Sequence, residues 1–145
     1  MLYLLAAAAG VLNAVQAGAN AGLGKALDHK FVAGVAISTF GLIAMLATGA
    51  VSGQLGWPGL ARAAAAPWWA WTGGLLGVAF ILVQLFTAEQ LGSAVFMTVV
   101  VTAAVLTSLL LDHFGLVGFK QHSLGWGRAA GAALILAGLG LIARY

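Results

Sequence analysis

Residues 73–111 form a tract of thirty-nine residues with one formal charge, Glu89. As one straight helix the tract would reach about 58 Å at ~1.5 Å per residue, roughly twice the ~30 Å hydrocarbon core of a bilayer. It must therefore double back. Polar residues and a glycine gather midway between Pro67 and Asp112, in Thr87-Ala88-Glu89-Gln90-Leu91-Gly92-Ser93, and the reversal is expected there. No soluble domain requires such a tract. The expected fold class is an all-α membrane protein in which these two spans form a helical hairpin.

The rest of the chain agrees, being 63% apolar and 6% charged over 145 residues. Five transmembrane helices are expected, near residues 2–24, 31–53, 68–88, 91–111 and 124–142, in one domain covering residues 1–145. The first run has no basic leader and continues past the length of a signal-peptide core, which favours a span over a cleaved signal. Pro67 suits the first turn of the third helix, where a missing N–H is harmless, and Pro58 breaks the surface loop before it. The six basic residues stand singly at the ends of apolar runs, as interfacial anchors do, so the net charge of +3 does not point to nucleic acid. The chain has no cysteine, which removes disulfides and thiolate chemistry. Its twenty-one glycines favour close helix packing.

Five crossings put the termini on opposite faces. On the Met1 face lie three basic residues, Arg62, Lys120 and Arg128, and on the other lie three more, Lys25, Lys30 and Arg144. The positive-inside rule acts through the difference, which is zero. The expectation is a chain that inserts both ways and works as an antiparallel pair; a single orientation set by uncounted factors is the alternative. Trp57, Trp68, Trp69, Trp71 and Trp126 all fall on the Met1 face, as an aromatic rim.

Asn13, Gln16 and Asn20 lie at i, i+3 and i+7 and share an arc of ~60° on the first helix. Amides are costly in lipid, so this face should line a solute path or bond to neighbouring helices; the lining is the favoured reading. Gln84, Thr98 and Thr102 are candidates for the same pathway, although a threonine can equally bond its own preceding turn. No carboxylate sits mid-span. Glu89 and Asp112 fall near the headgroup layers, Glu89 as a turn residue or a gating carboxylate. Asp112, at a helix C-terminus, is opposed by the helix dipole, so His113, Lys120 or Arg128 should compensate it in a structural latch; coupling or gating through Asp112 and His113 is the alternative. His29, His113 and His122 lack the short spacing of a metal site, and neither a metal nor a cofactor is expected. Gly127 and Gly131, followed by Gly138 and Gly140, mark a close-packing face on the last helix, for this chain or more readily for a second copy.

Pro67-Trp68-Trp69-Ala70-Trp71-Thr72-Gly73-Gly74-Leu75-Leu76-Gly77, Leu91-Gly92-Ser93-Ala94 and Leu109-Leu110-Leu111-Asp112-His113-Phe114-Gly115-Leu116 together resemble the YdcZ-like family of bacterial inner-membrane proteins. The resemblance extends from Gln16 and Asn20 to the glycine-rich end. It implies a five-helix half-transporter of the drug/metabolite transporter superfamily, often encoded in pairs or as fusions. Ala104 stands eight residues before Asp112, where members usually carry glutamine, and Gln16 lies near the position of the first-helix glutamate of small multidrug exporters, so their proton exchange is not carried over. The expected protein is no enzyme but a secondary transporter, most simply an exporter of a small metabolite or drug-like solute. It would act in the lipid bilayer as a homodimer or with a paired homologue. A passive channel and a subunit that stabilises a partner are the alternatives.

Overall fold

A computed structural model of the chain describes residues 1–56 and 58–145. Trp57, assigned above to the aromatic rim, lies outside the described residues. Helix α1 spans Leu2–Leu27, α2 Lys30–Val51, α3 Leu60–Ala65, α4 Thr72–Leu91, α5 Ser93–Phe114 and α6 Trp126–Arg144, with a single 3₁₀ turn at Trp68–Trp71 ahead of α4. All but α3 belong to the five segments long and apolar enough to cross a membrane. The protein is an all-α membrane protein.

Helix boundaries follow local chemistry. Helix α1 runs a turn beyond Gly24, because Lys25, Ala26 and Leu27 are good helix formers and a lysine in the last turn opposes the negative end of the dipole. It stops at Asp28, which adopts a left-handed conformation (φ 53°), and His29 is the extended residue from which α2 starts. The loop near Pro58 contains a helix the sequence reading did not anticipate: α3 is a Leu-Ala-Arg-Ala-Ala-Ala segment that ends where Ala66, preceding proline, turns extended (ψ 135°). Pro67 is not in a first α-helical turn. It precedes the 3₁₀ turn with an extended ψ of 140°, and its carbonyl accepts the Ala70 N–H at 2.9 Å.

The break expected at residues 87–93 narrows to Gly92. Residues through Leu91 stay helical, and α5 restarts at Ser93. Gly92 has φ 78° and ψ 153°, a conformation essentially confined to glycine, so a single residue separates the two helices.

The described residues form two compact units, 1–88 and 89–145. In the first, α1 packs on α2 and side chains of α4 reach both. A Cβ on Gly24 would lie 3.0 Å from Leu85 Cδ2, and one on Gly34 would lie 3.5 Å from both Leu82 and Leu85, so two glycines let α4 settle against the pair. Ala17, Asn20, Gly24, Ala33, Gly34, Gln84, Leu85 and Ala88 are the buried residues around this junction. In the second unit α5 packs on α6. Phe96 and Thr102 are buried on α5, while no residue of α6 is buried. Large apolar side chains such as Phe40 and Leu134 are over 70% exposed, a surface suited to lipid.

Candidate functional site

The buried side of α1 is an arc of ~60° at 100° per residue, holding Asn13, Ala17, Asn20 and Gly24. Asn20 is buried and Asn13 half-buried, whereas Gln16 lies ~40° outside the arc, beyond Asn20, and is exposed. The three amides thus share a helical sector without sharing an environment. Asn20 Nδ2 donates to Gln84 Oε1 at 2.5 Å, joining α1 to α4. Gln84 is fully buried, yet its Nε2 has no partner among the described residues.

Magnitudes decide what this pair contributes. An interhelical side-chain hydrogen bond in a membrane is worth about 0.6–2 kcal/mol. Leaving a buried donor unsatisfied costs about 1–3 kcal/mol. The pair therefore adds little net stability, and a leucine beside Leu85 would serve packing as well. What the arrangement does supply is a buried amide donor with no acceptor among the described residues.

In the second unit, Thr98 Oγ1 donates to the Ala94 carbonyl at 2.7 Å, the back-bond to its own turn. Thr102 does not. Its hydroxyl is buried without a partner among the described residues, and with Thr98 and Ile135 it lines a cavity of about 230 Å³ between α5 and α6. Glu89 is not in an inter-helix turn; it sits exposed in the last turn of α4.

Asp112 and His113 organise the connection from α5 to α6. Gly115, left-handed at φ 63°, ends α5 as the Gly115 N–H reaches the Asp112 carbonyl and the Leu116 N–H the Leu111 carbonyl at 2.9 Å. The His122 N–H returns to the Asp112 carbonyl at 2.8 Å. Of the three candidate compensators, Arg128 reaches the carboxylate: its Nη1 lies 3.3 Å from Asp112 Oδ2 and donates also to the His122 carbonyl at 3.3 Å. His113 instead accepts the Leu124 N–H on Nδ1 at 3.1 Å, and Lys120 takes part through its carbonyl, 2.9 Å from His122 Nδ1. Gln121, not singled out by sequence reasoning, donates to the His113 carbonyl at 3.0 Å. Its only sequence signal was its position in the polar connection. No group of three metal-ligating side chains gathers among the described residues.

On α6, a Cβ added at Gly127, Gly131 or Gly138 would meet nothing within 4 Å. These glycines are not sites of close approach within the described chain.

Five membrane-length apolar helices, polar groups withdrawn from the lipid-facing surface at Gln84 and Thr102, and a tied loop define a small multi-pass membrane protein. The chain belongs to the family described as "Putative inner membrane exporter, YdcZ", whose model matches residues 1–141. It is an inner-membrane protein of a family of exporters, which are transporters and not enzymes. Comparison with curated proteins and with solved structures gave no match.

Proposed function

We propose that this protein is a secondary transporter that exports a small metabolite or drug-like solute, working as a dimer, with Asn20 and Gln84 on the solute path. The observation that carries the reading is Gln84: a fully buried amide whose NH2 group has no partner among the described residues, in a chain whose family is one of exporters. A buried donor without an acceptor suits a site that takes up and releases an acceptor group of a passing solute. Thr102, with its unpartnered hydroxyl, is proposed as a second polar group on the path. Asn13 and Gln16 extend the polar sector of α1 toward the same route, and Thr98 is assigned a packing role because its hydroxyl is already bonded. Glu89 and Asp112 remain the carboxylates available for coupling or gating, with Asp112 held near Arg128.

Dimerisation is proposed through the glycine face of α6, where open space beside Gly127, Gly131 and Gly138 suits a close helix neighbour from another copy. Equal basic counts on the two faces favour opposite orientations of the copies, which would create the inverted repeat on which alternating access commonly rests.

Reconstitution tests the transport reading. Solutes chosen by thermal shift in detergent are loaded into proteoliposomes, and flux that saturates and shows counterflow is expected. Linear flux without exchange would replace the carrier with a channel. No flux with any solute, alone or with a paired homologue, would overturn the transport reading.

A further inference from the structure

The first unit carries a second feature, independent of the amide pair: an open groove of about 330 Å³ between α2 and α4. Its walls are Phe31, Val35, Val78, Ile81 and Leu82, and Gly34 forms the floor, where α2 lies close to Leu82. Two polar side chains line it. Thr39 has its hydroxyl bonded to the Val35 carbonyl at 2.8 Å, so Ser38 contributes the only spare hydroxyl of the lining. The lining is therefore almost wholly apolar.

One end of the groove is chemically distinct. Phe31 packs edge-on against Phe86 with ring centroids 5.8 Å apart, and Lys30, the first residue of α2, places its Nζ 5.0 Å from the centroid of the Phe86 ring. An ammonium thus stands at the mouth of an oily channel. From Phe31 to Thr39 the groove follows α2 for about 12 Å at ~1.5 Å per residue, close to the ~15 Å hydrocarbon depth of one leaflet.

We infer that this groove is a binding site for an anionic phospholipid of the surrounding bilayer, with one acyl chain along α2 and α4 and the phosphate against Lys30. The match has three parts: an apolar trough of single-leaflet length, a cation at its rim end, and almost nothing polar between them. A helix of a second copy would need no cation at one end.

Native mass spectrometry of the full-length protein in detergent, titrated with phosphatidylglycerol or phosphatidylcholine, tests the site. Phosphatidylglycerol should be retained in preference to phosphatidylcholine. Lys30→Gln should weaken its retention about five-fold, the ratio equivalent to the ~1 kcal/mol expected of one lysine at an anionic surface. Ser38→Phe, at an exposed position that fills the trough, should reduce retention of both lipids while circular dichroism shows unchanged helix. Equal retention of the two lipids, or retention unaffected by Lys30→Gln, overturns the assignment. Loss of dimer in Ser38→Phe with lipid retention intact would give the groove to a second copy and also overturn it.

Discussion

Leu85 occupies the space that a side chain on Gly24 would need: its Cδ2 is 3.0 Å from the position of a Cβ there. This approach lies one turn from Asn20 and one residue from Gln84, so it sets the separation at which the two amides meet. Gly24→Ala should be nearly tolerated, since the flexible end of Leu85 has to move only a few tenths of an ångström. Gly24→Leu should cost about 1–3 kcal/mol by overpacking. Unfolding of the purified variants in detergent would check the ranking; equal stabilities would mean the approach is not tight.

The amide pair predicts a non-additive cycle. Gln84→Leu strands Asn20, and Asn20→Leu strands Gln84, so each single variant should lose about 1–3 kcal/mol. Replacing both should recover most of that loss, because neither position then leaves a buried amide unpaired. Transport should be absent from all three. A double variant that is stable and still transports would take the pair off the solute path.

The α5 to α6 connection predicts an unequal response. Gly115→Ala forces a Cβ into a left-handed residue and within 3.3 Å of Gln121 Cβ, so it should loosen the connection substantially, by about 1–3 kcal/mol. Arg128→Gln should cost less than about 1 kcal/mol, since both partners of the Asp112 ion pair are partly exposed, at 39% and 30%, and solvent screens it. Hydrogen exchange of the His122 and Leu124 amides would separate the two. Similar protection in both variants would make the backbone ties insensitive to Gly115.

Gly131→Ile should leave the single protomer folded, because nothing lies within 4 Å of the new Cβ, yet weaken self-association about ten-fold or more if the proposed dimer uses α6. Fluorescence energy transfer between labelled copies in liposomes would measure it. Unchanged transfer would move the dimer contact elsewhere.

Reporter fusions at Tyr145 address orientation. Signal from both sides of the membrane is expected of a chain with three basic residues on each face. Activity on one side only would end the antiparallel proposal.

The span count was legible because hydropathy over twenty residues does not depend on neighbours. Boundaries were less so: Lys25 looked like a stop, but a lysine in a last helical turn is favoured there, and only the backbone of Asp28 ends α1. The latch partner of Asp112 was among three candidates at suitable distance in the chain, and choosing Arg128 required the path taken through Gly115. For the amides, spacing located the sector of α1 but not its rotation. That rotation follows from Ala17 and Gly24 facing the interior, small residues that carry no polarity to draw attention, and it leaves Gln16 outside.

Helix α6, without a buried residue of its own, has a consequence for partner choice. Exchanging lipid tails for another apolar helix gains little from water, so whatever docks there is selected by contour, a matter of single methyl groups. A duplicated copy of the chain would need few substitutions along that helix to stop recognising itself and recognise only its sibling.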